Sequence, residues 1–82
     1  MKSLFVSQSE KEHFVKIHTD PFKQECFENA HFWISKNIFD KGLLEYKAAV
    51  SFKNGATKGE QRFQEKTFSE LVFKVDNFIK SL

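Results

Sequence analysis

Along the second half of the chain, hydrophobic and polar positions alternate with a period of two and then switch to a period near 3.6. Leu44, Tyr46, Ala48, Val50 and Phe52 alternate with polar or small residues, the pattern of a half-buried strand. Asn54-Gly55 follows, a pair suited to a two-residue hairpin turn because both residues tolerate positive φ. Pairing Lys53 with Ala56 around that turn sets Tyr46 opposite Phe63, Lys47 beside Arg62, and Gly59 opposite Val50, where the glycine would mark a bulge. Thr67-Phe68-Ser69-Glu70 then opens a helix as a capping box. Phe68, Leu71, Val72, Val75, Phe78, Ile79 and Leu82 form its apolar stripe.

The first half is less regular. Leu4 to Ser7 reads as a short strand, Ser9 to Glu12 as a charged turn, and His13 to Thr19 as a second strand. In that strand Phe14, Lys16 and His18 lie on one face and Val15, Ile17 and Thr19 on the other. Asp20-Pro21 is a helix-start signal, predicting a short helix from Pro21 to Glu28 with Phe22, Cys26 and Phe27 on its buried side. Residues 30–39 fit either a strand or the continuation of that helix. The strand is favoured, because Asp40-Lys41-Gly42 suits a three-residue hairpin loop. Pairing Phe39 with Leu43 then aligns Ile38 with Leu44, Ile34 with Ala48 and Phe32 with Val50. The fold expected is α+β: an antiparallel sheet of four or five strands with the C-terminal amphipathic helix on one face and one short helix after Pro21.

Length makes this a single domain over residues 1–82. A domain of this size buries only about 60–65% of its unfolded surface, so its core needs large side chains. Eleven phenylalanines, Trp33 and Tyr46 supply them. Thirteen basic and eleven acidic residues leave a net charge of +2, which gives no general pull toward nucleic acid or an anionic membrane. No apolar run approaches the roughly 20 residues that span a bilayer, and the Leu4–Val6 stretch is too short for a signal-peptide core. Cys26 is the single cysteine, so an internal disulfide is excluded and a cytoplasmic location is the default expectation.

Chemistry is sparse. His13, His18, Cys26 and His31 have the wrong spacing for a zinc knuckle, and the plain expectation is surface histidines and a small buried thiol. Cys26 and His31 would diverge on a helix, and no nucleophile elbow or phosphate-binding loop is present. No enzyme, metal or cofactor is expected. The remaining candidates are binding residues. Lys47, Lys53, Lys58 and Arg62 map to the outer face and tip of one hairpin, with Trp33 and Phe39 on the same face. Basic groups interleaved with aromatics suit RNA or single-stranded DNA. From Leu44 onward the order strand, turn, strand, helix also resembles the second half of a double-stranded-RNA-binding domain, over fewer than half the residues. The lysine cluster of such domains at the start of the last helix is replaced here by Thr67-Phe68-Ser69-Glu70.

A helix covers only one face of a sheet. Trp33, Phe39, Leu43 and Ala49 either form an exposed strip for a protein partner or a second copy, or lie beneath the Pro21–Glu28 segment. The favoured expectation is a non-enzymatic protein-binding module. By type, it is akin to the small phage- or mobile-element-encoded inhibitors that occupy a surface of restriction or CRISPR machinery, or to a small adaptor. RNA or single-stranded DNA binding is the alternative.

Overall fold

A computed structural model describes residues 4–18, 24–54 and 57–82. The element order is α1 (Gln8–Ile17), β1 (Glu25–Cys26), β2 (Ala30–Asn37), β3 (Leu43–Asn54), β4 (Thr57–Glu65) and α2 (Phe68–Ser81). The four strands form one antiparallel meander in the order β1-β2-β3-β4. The fold is α+β, as the alternation and the C-terminal stripe predict. Helix α2 packs on β3 and β4. Helix α1 lies beside it, with Phe14 against Phe27 and Phe32 on the β1–β2 side of the same face.

Residues 8–17 are helical, not the predicted hairpin of two strands. Ser7-Gln8-Ser9-Glu10 is a capping motif: the Ser7 hydroxyl accepts from the Glu10 amide at 3.2 Å, and Glu10 accepts from the Val6 amide at 3.0 Å. The helix buries Lys11 and Phe14, three residues apart, with Val15 beside them. A charged residue at the head of that stripe masks its helical period.

The predicted helix from Pro21 to Glu28 is also corrected. Its start lies outside the described residues, but Glu25 and Cys26 are extended and pair with Phe32 and His31. Residues 30–37 are the favoured strand. Each hairpin is displaced by two residues from its predicted register. Phe32 lies opposite Ala48 and Ile34 opposite Tyr46, because the loop runs over five residues, 38–42. Asn37 builds that loop. Its side-chain oxygen accepts from the Phe39 amide at 2.9 Å, and its carbonyl accepts from the amides of Asp40 and Gly42. Lys41 and Gly42 take up the left-handed conformation, φ 55° and 72°.

In the second hairpin Asn54 pairs with Thr57, so Lys53 faces Lys58, Phe63 faces Ala48 and Glu65 faces Tyr46; Gly55 of the predicted turn, and Ala56, predicted to pair with Lys53, lie outside the described residues. Gly59 sits opposite Phe52 in continuous pairing, without a bulge. The Phe52 ring lies over the glycine so closely that a Cβ there would stand 2.6 Å from Cζ. A shift of two preserves the faces, since side chains alternate with period two.

The core lies between the sheet and the helices. Phe14 has ring centroids 5.3–5.8 Å from those of Phe5, Phe27, Phe32 and Phe68. Phe78 closes the far end against Phe52 and Phe63. Within this apolar layer Asp76 is 1% exposed and Lys11 4%. Lys11 Nζ lies 3.1 Å from Asp76 Oδ2, Lys80 Nζ lies 3.2 Å from the same oxygen, and the Leu4 amide donates to Oδ1 at 3.2 Å. At the surface, Lys74 bonds Glu65 at 2.8 Å. That hydrogen bond, reinforced by the Glu65 charge, raises the lysine pKa above its ordinary value. The pair therefore holds through neutral pH and is lost as pH rises through the elevated value.

Asp76→Ala leaves Lys11 charged and buried beside its missing partner, and should cost about 3–5 kcal/mol in urea unfolding. Lys11→Met should cost less, because Asp76 keeps Lys80 and the Leu4 amide. Equal losses would show that the buried charge itself is not what matters.

Candidate functional site

Both helices occupy the inner face, so the outer face of the sheet is the one broad surface of the described residues without a helix on it. Strand alternation decides which side chains reach it. Trp33 pairs with Lys47, which pairs with Gln64. In the adjacent row His31 pairs with Ala49, which pairs with Arg62. The His31 and Trp33 rings are tilted together at 5.0 Å. His31, Trp33 and Ala49 line a shallow depression together with Cys26, Glu60 and Arg62, and a second is shared by Trp33, Lys47, Arg62 and Gln64.

Five of the six predicted binding residues share this face. Trp33, Lys47 and Arg62 come together at its centre. Lys53 and Lys58 lie opposite one another near the hairpin tip, on the same face. Phe39 does not join them. The longer loop carries it off the sheet, and it stands 94% exposed beside Ile38. Nor do Lys47 and Arg62 face each other directly, since the two-residue shift makes them diagonal neighbours. Each basic group at the centre has an acidic companion on its own strand. Lys47 Nζ lies 3.5 Å from Glu45, and Arg62 Nε lies 3.0 Å from Glu60. Glu45 in turn accepts from the Asn37 amide group at 2.8 Å, which fixes its carboxylate. These solvent-accessible pairs contribute little stability, but they lower the positive potential at the centre of the face.

Cys26 is not a buried helical thiol. It is exposed on β1 and directly opposite His31. The two share a face because residues 25–26 are strand, where the Asp20-Pro21 signal predicts a helix. His31 also meets the Gln24 side chain. His13 is exposed on α1, and His18 stacks on Phe14 and pairs with Glu25 at 3.3 Å. Among the described residues no group of three or more potential metal ligands converges.

The likeness to a double-stranded-RNA-binding domain ends at element order. The first turn of α2 exposes Ser69 and Glu70 behind the Thr67 cap. An acidic first turn complements the helix dipole where a phosphate would otherwise sit. No protein-family model, curated protein or solved structure matches the chain at a significant level. No described helix is long and apolar enough to cross a membrane.

Adjacent residues on β2 should report the two faces separately. Phe32→Ala, which empties the core, is expected to cost about 3–5 kcal/mol. Trp33→Ala should stay within about 1 kcal/mol of the parent. Thermal unfolding by far-UV circular dichroism distinguishes them, and a large loss for Trp33→Ala would make the tryptophan a packing residue.

Proposed function

We propose that this protein is a non-enzymatic binding module that holds a protein partner against the helix-free face of its sheet, with Trp33 as anchor. The observation that carries this reading is the position of Trp33. A large aromatic lies half-buried at the centre of an uncovered face, tilted against His31 and bordered by the Glu45–Lys47 and Glu60–Arg62 pairs. Aromatic centres with polar rims are the usual anatomy of protein interfaces, and tryptophan is enriched where binding energy concentrates. Paired charges of both signs suit a protein surface of mixed charge better than a polyanion. A small inhibitor or adaptor that acts by covering a partner surface, of the kind phages and mobile elements encode, fits this plan.

The alternative is RNA or single-stranded DNA, and one observation favours it. Lys53 and Lys58 stand directly opposite each other on the outer face, with no acidic residue between them in the register, beyond the aromatic centre. The two readings separate by salt and by residue. Tagged protein should capture the same partner from its host as Trp33→Ala loses, while fluorescent oligo(dT) and oligo(rU) show no anisotropy change at low salt. Oligonucleotide binding that falls steeply with salt, and disappears in Lys58→Glu with Arg62→Glu, would replace the protein reading with the nucleic-acid one.

A further inference from the structure

Strand β4 ends the sheet and presents a nine-residue edge, Thr57–Glu65, with no strand partner on its outer side among the described residues. Open edges of that length template pairing with another chain unless something blocks them. The other edge of the sheet is different in kind, being the two-residue β1.

We infer that the β4 edge pairs antiparallel with the β4 edge of a second copy, joining two sheets into one of eight strands about a two-fold axis at Gln61. The argument is one of register. An antiparallel pair of identical strands has its two-fold axis perpendicular to the sheet, so each residue must face one of the same sheet face. Only registers differing by two residues are therefore available. Overlap of the full strand requires Gln61 on the axis, because Gln61 is the midpoint of Thr57–Glu65. That register sets Arg62 of each copy opposite Glu60 of the other, twice, on the outer face. It also sets Gly59 opposite Phe63 on the inner face and Lys58 opposite Gln64.

The neighbouring registers are worse in charge as well as length. Centring on Glu60 brings the two Glu60 carboxylates together and sets Lys58 against Arg62. Centring on Arg62 brings the two guanidinium groups together. The register of greatest overlap is thus also the one with complementary charge. Glu60 and Arg62 are 46% and 73% exposed at the side chain, and their mutual bond at 3.0 Å lies along the open strand, so both are positioned to exchange partners across the axis.

The helices permit this pairing. Helix α2 lies over β3 and β4 equally, so the two copies of α2 would be separated by about two strand spacings, roughly 9–10 Å. That is the interaxial distance of packed helices, about 8–10 Å, so the two copies of α2 would fit side by side. The inferred dimer leaves the outer face uncovered and turns both copies of Trp33 toward the same side. It stands independently of what that face holds.

Sedimentation equilibrium of the full chain across micromolar to millimolar concentrations tests the inference. The parent should dimerise. Arg62→Glu and Glu60→Arg should each weaken association by about 10- to 100-fold, because two attractive pairs become repulsive. The double variant carrying both changes should recover it, and the two single variants mixed should form a heterodimer. Trp33→Ala should dimerise like the parent. A monomer at every concentration overturns the inference. So does a dimer that ignores charge reversal, or one that Trp33→Ala dissociates, since either places the contact elsewhere.

Discussion

The buried carboxylate of Asp76 is the constraint on which the arrangement of the helices rests. It gathers donors from separate parts of the chain, among them Lys11 of α1, Lys80 one turn along α2, and the amide of Leu4. Removing a carboxylate and an ammonium from water costs several kcal/mol per ion, so the pair is tolerable only because these bonds are made. Lys11 also lies over the Phe73 ring at 4.3 Å, adding a cation–π contact. The consequence is positional. Helix α1 is polar along most of its surface and buries only Lys11 and Phe14. Phe14 supplies the apolar contact and Lys11 gives it a specific partner, so α1 lies beside α2 on the inner face.

That placement leaves the sheet with two unlike faces. The inner one carries Phe32, Ala48, Val50 and Phe63 beneath two helices and a cluster of phenyl rings. The outer one carries Trp33 and His31 amid charged side chains. Its ion pairs run along strands, Glu45 with Lys47 and Glu60 with Arg62, which keeps both signs of charge distributed across the surface. The edge strand shares in that distribution. In the inferred β4 pairing, the Glu60 and Arg62 that keep the outer face mixed would also meet across the axis.

Much of the fold was legible along the chain. The Leu44–Phe52 alternation and the Phe68–Leu82 stripe each repeat a strong local period, and the Thr67 cap has its donor three residues on, at the Glu70 amide. The same local logic was present at Ser7-Gln8-Ser9-Glu10, but the stripe behind it begins with Lys11. A charged residue is read as solvated until its partner is known, and that partner lies 65 residues away. Register was legible only to within two residues. Asn37, not Phe39, closes the first hairpin, because its side chain and carbonyl together hold the loop amides. No alternation pattern records which of two in-phase residues will do so. Phe39 was lost from the candidate face for that reason, while Trp33, Lys47, Lys53, Lys58 and Arg62 stayed on it.

The sequence by itself determined which residues point together, because the two periods, 2 and 3.6, are properties of the local backbone. It thereby determined the α+β class, the α2 core stripe and the place of Trp33, Lys47, Lys53, Lys58 and Arg62 on the outer face. Only the tertiary structure decided what those faces meet. It buried Lys11 and Asp76 as a pair, brought Cys26 opposite His31, and put α1 on the same side as α2. These depend on contacts between distant segments, whose free energies arise from desolvation and packing that no short window of residues contains.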